Sequence, residues 1–176
     1  MMKVDVSQNE QATMMKPLGL PGLRFHHFGL AVSNPDQAFL MLHTIGYTAG
    51  VQVFDPLQRV NLAMRHHPAM PDVEVIWPGD EPSPIDKMVK RTGSMIYHMC
   101  YQCPDPGAVV AALEEAGLDT LEVSPPTPAV LFEGSEVSFY TVDCFGLIEL
   151  LRCSTEATQR PSSDQAALEA TIGSAG

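Results

Sequence analysis

Hydrophobic and polar residues along the chain form one pattern that occurs twice. The first copy begins at 24–32, a segment rich in aromatic and branched residues that is typical of a β-strand. A helix should follow, because Asn34 and Pro35 supply a polar cap and a first-turn proline, and Gly46 is a typical end. Apolar residues recur at helical spacing between these ends, at Ala38, Phe39, Leu42 and Ile45.

The second copy repeats each of these features. Segment 95–103 has the pattern of a strand, Asp105 and Pro106 form the helix start, and Gly117 is the expected end. Apolar residues again recur at helical spacing, at Val109, Val110, Leu113 and Ala116. The match predicts a duplicated unit of a strand followed by a helix.

One histidine in each copy shows that the copies share a register. His27 lies 19 residues before Gly46, and His98 lies 19 residues before Gly117. Three strand patterns follow each helix, separated by turns that contain proline. These strands are predicted at 47–54, 59–64 and 72–77 in the first copy and at 120–123, 136–142 and 147–152 in the second. The sequence therefore predicts an α+β protein made of two βαβββ repeats.

The repeats imply a single domain between two tails. Ser83 and Pro84 can cap and open a short helix that connects the repeats. Both tails lack a clear pattern, apart from a short helix expected at 164–172. The predicted segments are a flexible tail 1–22, a domain 23–153 with repeat one at 24–80, the connecting helix at 82–92 and repeat two at 94–153, and a polar tail 154–176.

Composition excludes two classes of partner. The chain has 176 residues and a formal net charge of −11, and such a surface repels the phosphates of nucleic acid. No segment approaches the ~20 continuous apolar residues of a membrane span, and residues 1–16 carry no signal-peptide core. We therefore expect a cytoplasmic protein with neither a nucleic-acid nor a membrane partner.

Two of the four cysteines form a C-x-x-C pair, Cys100 and Cys103. Such a pair can indicate zinc or redox chemistry. Positions three apart on a strand point to opposite faces, however, and both residues lie in the predicted strand 95–103. We expect buried thiols rather than a functional pair.

The last strand of each repeat contains one acidic residue among apolar neighbours, Glu74 in the first repeat and Glu149 in the second. A carboxylate in such a setting must be paired, protonated or bound to a metal. Glu74 lies 47 residues after His27, and Glu149 lies 51 residues after His98, which fits an insertion near 125–133.

These two histidines and two glutamates predict a metal site. If each repeat forms a curved sheet and the two concave faces meet, equivalent residues approach one another around a pseudo-twofold axis. His27, Glu74, His98 and Glu149 would then surround one divalent ion. Imidazole nitrogens and carboxylate oxygens suit zinc, nickel, cobalt, manganese or ferrous iron.

Other polar residues near the site have less defined roles. His26 should point to the face opposite His27 and pack on the helix side. His66 and His67 lie in an expected loop and should be exposed, with substrate contact as a weaker alternative. Gln58 and Asn61 could reach the cleft, although the register of their segment is open.

Three motifs extend this interpretation to a known family. They are His-His-Phe-Gly-Leu-Ala-Val at 26–32, Glu-Pro-Ser-Pro-Ile at 81–85 with Ser-Met-Ile-Tyr-His-Met-Cys at 94–100, and Gly-Leu-Ile-Glu-Leu at 146–150. In this order they resemble the vicinal oxygen chelate superfamily, which includes glyoxalase I, methylmalonyl-CoA epimerase and extradiol dioxygenases. The chain is most similar to the methylmalonyl-CoA epimerase-like branch, from about Phe25 to Leu151.

The resemblance implies a curved, incompletely closed mixed sheet. It also implies that His27, His98 and Glu149 hold the metal, with Glu74 at the fourth position. The chain departs from the family at 125–134 and at 141–143, where the epimerases carry other loop sequences that shape the substrate mouth.

The implied reaction is proton transfer next to a carbonyl, through a metal-stabilised enolate, by an isomerase or epimerase in which Glu149, and Glu74 as a second candidate, act as base. The substrate would be a small molecule with adjacent oxygens, for example a CoA thioester such as methylmalonyl-CoA. Alternatives are a glyoxalase I-type lyase acting on a thiol hemiacetal, oxygen chemistry at ferrous iron, and a non-catalytic, resistance-type binding protein. We also expect a homodimer, because open sheets leave apolar faces to cover.

Overall fold

The structure is a computed structural model that describes residues 19–20 and 22–153. Most of both predicted tails, and the short helix expected at 164–172, lie outside the described residues. Within the described part of the chain, eight strands and three helices follow one another. They are β1 (Arg24–Ala31), α1 (Pro35–Thr44), β2 (Thr48–Asp55), β3 (Val60–His66), β4 (Asp72–Pro78), α2 (Asp86–Thr92), β5 (Met95–Cys103), α3 (Pro106–Glu115), β6 (Thr120–Pro128), β7 (Glu136–Val142) and β8 (Gly146–Arg152).

All eight strands belong to one mixed sheet with the order β2-β3-β4-β1-β5-β8-β7-β6. Strands β1 and β5 pair antiparallel at its centre, and each pairs parallel with the last strand of its own repeat. The sheet stays open, with β2 and β6 as its edges. The predicted α+β fold of two βαβββ repeats is confirmed.

The two long helices begin as their sequences predict. The side chain of Asn34 accepts hydrogen bonds from the backbone N–H groups of Asp36 at 3.1 Å and Gln37 at 3.4 Å. Asp105 caps α3 in the same way, accepting from Ala108 N at 3.2 Å. A proline occupies the first turn of each helix, where its missing N–H costs nothing.

The connecting helix α2 is shorter than predicted, because it begins at Asp86 with Ile85 at the cap position and no side-chain cap bond. Ser83 does not cap the helix. Instead its backbone N–H and its hydroxyl donate to the Asp86 carboxylate, so the acid organises the turn that precedes the helix.

Alternation along β4 and β8 directs the two acids away from the helices. On β4, Val73 and Val75 pack with α1 against Leu42. On β8, Ile148 and Leu150 pack with residues of α3 in the same manner. Because successive side chains of a strand point to opposite faces, the acids between these residues lie on the face that the long helices do not cover.

Strand β6 is longer than the predicted 120–123 and continues through three prolines to Pro128. Among the described strands it pairs with β7 alone, with register shifts on both sides of Ser124. Prolines are tolerated there because β6 is an edge strand, where a missing N–H can face outward. The predicted insertion lies between β6 and β7, where seven residues, 129–135, stand in place of the four residues 56–59 between β2 and β3.

The two cysteines of the C-x-x-C pair are buried in different clusters. Cys100 packs with Val137 and Cys103 with Val109, and both thiols are free. Burial, with a smaller contribution from the nearby carboxylate of Asp105, raises the pKa of Cys103 to about 11. The prediction that these two thiols are buried is confirmed. Among the described residues, no helix has the length and apolar character that crossing a bilayer requires.

Candidate metal centre

The four residues predicted to bind a metal lie together in the structure. One nitrogen of His27 and of His98 and one carboxylate oxygen of Glu74 and of Glu149 face each other, and we call these four residues the ligand cluster. The distances between these atoms are 3.1 Å for His98–Glu149, 3.4 Å for His27–Glu149, 3.5 Å for His27–His98, 3.6 Å for His27–Glu74 and 3.8 Å for His98–Glu74.

Gly29 on β1 leaves the space that the His98 ring of the ligand cluster occupies. It is the register partner of His98 on one side and of Glu74 on the other. A Cβ atom at Gly29 would overlap the imidazole ring of His98. The absence of a side chain at this position therefore lets the histidine of repeat two lie directly over the central strand of repeat one.

Cys100 occupies the equivalent position on β5. It is the register partner of His27 and of Glu149, so each repeat places one small residue between the imidazole of the other repeat and its own glutamate. The pseudo-twofold arrangement expected from the sequence is present at the level of individual register pairs.

The four ligand atoms of the cluster lie within 4.8 Å of one another in a buried setting. All four residues are between 0% and 6% exposed. Glu149 Oε2 lies 3.1 Å from His98 Nε2, yet within the described part of the chain this buried oxygen makes no aligned hydrogen bond. Ligands held ~2.1 Å from one ion at tetrahedral angles lie ~3.4 Å apart. The observed distances and the donor set therefore fit a single divalent metal ion.

The charges within the ligand cluster also favour a bound cation. Burial lowers the pKa of His27, but the adjacent carboxylates of Glu149 and Glu74 outweigh burial and raise it to about 9. Burial opposes ionisation of Glu149 as well, yet the imidazoles of His27 and His98 hold the pKa of this carboxyl well below its usual range. The buried carboxylate of Glu149 thus retains its charge only when a proton on imidazole or a metal ion compensates it.

The predicted position of His26 on the helix side is wrong. A register shift between Phe25 and His27 places the ring of His26 beside that of His27, with the two Nδ1 atoms 2.8 Å apart. Burial, followed by the neighbouring charge of His27, lowers the pKa of His26 to about 4. A neutral His26 can accept a hydrogen bond from Nδ1–H of His27, which orients the opposite nitrogen toward the ligand cluster.

A cavity opens beside the ligand cluster and contains residues that the sequence did not single out. Asp55 is one of them, and its carboxylate accepts hydrogen bonds from Leu57 N at 2.7 Å and Gln58 N at 3.1 Å. The Asp-Pro pair at the end of β2 indicated only a turn. The cavity is lined by Asp55, Gln58, Leu62, Glu74, Tyr97, Ala129, Val130, Leu131, Phe132, Val137, Phe139 and Glu149.

The other polar candidates divide into one that lines this cavity and three that do not. Gln58 lines it, as expected. Asn61 instead donates its amide to the carbonyl of Pro78 at 3.2 Å. His66 is exposed and lies 2.7 Å from a carboxylate oxygen of Asp72, and His67 is half-buried.

Comparison with known sequences decides the family. The profile of the glyoxalase/bleomycin resistance protein/dioxygenase superfamily matches residues 26–139. The chain belongs to this superfamily. Its members typically bind a divalent metal ion, in agreement with the donor set of the ligand cluster. No curated protein sequence matches the chain.

Several solved structures share the fold at low sequence identity. A hypothetical protein from Bacillus halodurans C-125 is 21% identical, with a TM-score of 0.63 over 77% of this chain and 97% of its own. Methylmalonyl-CoA epimerase from Mycobacterium tuberculosis is 21% identical, with a TM-score of 0.61 over 89% and 99%. Another methylmalonyl-CoA epimerase is 26% identical, with a TM-score of 0.58 over 73% and 93%. The superfamily and the epimerase-like resemblance expected from the motifs are thereby confirmed.

Proposed function

We propose that the protein is a metal-dependent isomerase or epimerase that transfers a proton next to a carbonyl group. The observation that carries this proposal is the buried ligand cluster, which combines two imidazoles with two carboxylates beside a cavity. A divalent ion bound by His27, Glu74, His98 and Glu149 would supply positive charge where negative charge develops on a substrate oxygen.

The two carboxylates have different proposed roles in the proton transfer. Glu149 lies within 3.4 Å of both imidazoles and would take the proton from the carbon next to the carbonyl. Glu74 comes from the other repeat and would return a proton from the opposite face of that carbon. Return to the same carbon inverts its configuration, whereas return to a neighbouring atom gives an isomer.

An acyl-CoA thioester is the first substrate to test. A Streptomyces coelicolor methylmalonyl-CoA epimerase variant with this fold is described in complex with 2-nitronate-propionyl-CoA, and another epimerase in complex with methylmalonyl-CoA. Methylmalonyl-CoA carries the paired oxygens and the acidic carbon that the proposed chemistry requires. For this chain the substrate is our proposal.

Exchange of the substrate proton for deuterium tests the reaction directly. In D₂O, nuclear magnetic resonance should show the protein exchanging the Cα proton of methylmalonyl-CoA. Glu149→Gln should reduce the rate by at least ~10²–10⁴-fold, the contribution of a general base, while circular dichroism remains unchanged. Glu133→Gln, at an exposed residue near the cavity, is the matched control and should retain the rate. Full activity of Glu149→Gln would refute the assignment.

Elemental analysis tests the metal separately. The purified protein should contain close to one equivalent of a divalent transition metal, and His98→Ala should contain much less. Absence of metal from the wild-type protein after growth and reconstitution in several divalent metals would remove the basis of the proposal. Exclusive turnover of a thiol hemiacetal in the same assays would assign the lyase reaction instead.

We also propose that the protein forms a homodimer. Apolar side chains on α1 and on the edge strand β6 support it, because Leu40 and Leu121 are each 67% exposed. Light scattering should give twice the mass of the 19.1 kDa chain. A monomeric mass at micromolar concentration would contradict the proposal.

A further inference from the structure

The seven residues between β6 and β7 form a compact roof over the ligand cluster, and we call residues 129–135 the roof loop. Two successive turns fold it: Phe132 N donates to Ala129 O at 3.1 Å, and Ser135 N donates to Phe132 O at 3.0 Å. Gly134, inside the second turn, has a φ of +74°, which glycine adopts without strain. A third bond, from Ala129 N to Ser135 O at 3.0 Å, closes the base of the loop.

Two apolar side chains of the roof loop lie against the other repeat. The ring of Phe132 stacks over His27, with 6.0 Å between centroids and 29° between planes, and meets the ring of His26 edge-on at 5.0 Å. Leu131 packs against the cluster that includes Leu62 and Tyr97. Repeat two thus reaches repeat one through Phe132, at His26 and His27, and through the cluster that Leu131 shares with Leu62.

The position of Phe132 determines how much space lies next to the metal centre. The cavity has a volume of about 20 Å³, little more than the space that a single water molecule needs. Among the described residues that line it, none is a lysine or an arginine. A ligand group beside the ligand cluster therefore meets an aromatic wall and finds no basic side chain to compensate an additional anionic substituent.

We infer that Phe132 is a specificity-determining residue that limits the apolar substituent on the reacting carbon to a small group. The inference rests on the proposed function, because it places the reacting carbon in this cavity. The turns of the roof loop hold the ring in place, so the wall is built into the fold. The substrate class is therefore carbonyl compounds with methyl-sized, uncharged substituents beside the two oxygens.

Binding of chelating probes tests this inference without turnover. Acetohydroxamate and benzohydroxamate both bind metal through two adjacent oxygens, and they differ only in the group that would meet Phe132. Calorimetry on protein loaded with Co²⁺ gives the dissociation constants of both probes for the wild type, Phe132→Ala and Phe132→Leu. Glu133→Ala, an exposed neighbour in the roof loop, is the matched control.

We expect Phe132→Ala to bind benzohydroxamate at least ~10-fold more tightly than the wild type does, a gain of ~1.4 kcal/mol. Its affinity for acetohydroxamate should change by less than ~3-fold, and Phe132→Leu should be intermediate. The ratio of the two affinities is decisive, since loss of support for His27 alone would weaken both probes equally. An unchanged ratio, or failure of both probes to bind the loaded wild type, would overturn the inference.

This test separates the inference from the proposed reaction. If no carbonyl substrate exchanges its proton but the probe ratio shifts in Phe132→Ala, the size limit stands and the reaction does not. If the wild type exchanges the proton of methylmalonyl-CoA and the ratio stays the same in both Phe132 variants, the reaction stands and Phe132 does not control size.

Discussion

The two repeats contribute the same pair of ligands to the cluster but support them differently. Nδ1 of His27 has a partner in the adjacent His26, at 2.8 Å. Nδ1 of His98 is buried without a hydrogen-bond partner among the residues that the structure describes. Both repeats therefore contribute equivalent residues to the ligand cluster, whereas among the described residues a hydrogen-bond partner for the histidine Nδ1 is found in repeat one alone.

The hairpins next to the ligand cluster differ as well. In repeat one, the four residues 56–59 form a tight turn organised by the buried carboxylate of Asp55. In repeat two, the roof loop has seven residues and reaches across to repeat one through Phe132. In our proposal the symmetric part of the site binds the metal, and the asymmetric part contacts the ligand that enters the cavity.

The largest expected effect comes from adding a side chain at Gly29, the small residue at the centre of repeat one. Gly29→Ala should displace the His98 ring, because the new Cβ would overlap it, and should weaken metal binding by at least ~100-fold. At the equivalent place in repeat two, Cys100 already has a Cβ. The substitution Cys100→Ala therefore adds no atom there and should change metal affinity by less than ~3-fold. Competition with a chromogenic chelator measures both. Equal affinities in the two variants would show that the close approach at Gly29 is not required.

The two cores covered by α3 and α1 should lose different amounts of unfolding free energy when a buried residue is truncated. Leu150 and Val75 are equivalent residues under α3 and α1, and they are 1% and 0% exposed. Leu150 borders an apolar cavity of about 290 Å³. Leu150→Ala should cost ~3 kcal/mol of unfolding free energy and Val75→Ala ~2 kcal/mol. Urea denaturation of both variants tests the order, and a larger loss for Val75→Ala would contradict it.

Metal removal should reverse the pH dependence of stability. In metal-free protein the pKa of His27 is raised from 6.5 to about 9. The ion pairs of His27 with Glu149 and Glu74 therefore stabilise the folded state fully below pH 6.5, and this stabilisation is lost as the pH rises through 9. The loss should amount to roughly 3 kcal/mol. With metal bound, protons compete for the same nitrogen, so stability should rise over this pH range. Thermal melts at pH 6, 7.5 and 9, with and without chelator, measure the two slopes. Stability that changes with pH in the same direction with and without chelator would contradict the prediction.

The smallest effect should come from replacing Cys103 of repeat two by valine, the residue at the equivalent position of repeat one. Cys103 and Val32 are equivalent, and they are 2% and 1% exposed in helix-covered clusters. Cys103→Val should change the unfolding free energy by less than ~1 kcal/mol, because the buried thiol acts as a small apolar group. Loss of metal in this variant would indicate a role for the C-x-x-C pair and contradict the present interpretation.

The sequence by itself determined the repeats, the caps of α1 and α3, and the four members of the ligand cluster. These features follow from local rules: strand alternation places each acid away from its helix, and the repeated spacing of His27 and His98 puts them at equivalent positions. Such rules need no knowledge of which distant residues touch.

Only the tertiary structure decided the surroundings of the centre. Alternation placed His26 on the wrong face because a bulge in β1, a property of its pairing with β5, turns it beside His27. Phe132 lies in a loop whose sequence indicates turns, and its position over His27 depends on packing between residues far apart in the chain. The contacts of His26 and Phe132 depend on the strand pairing and loop packing of the assembled sheet, which the local sequence pattern around each residue does not encode.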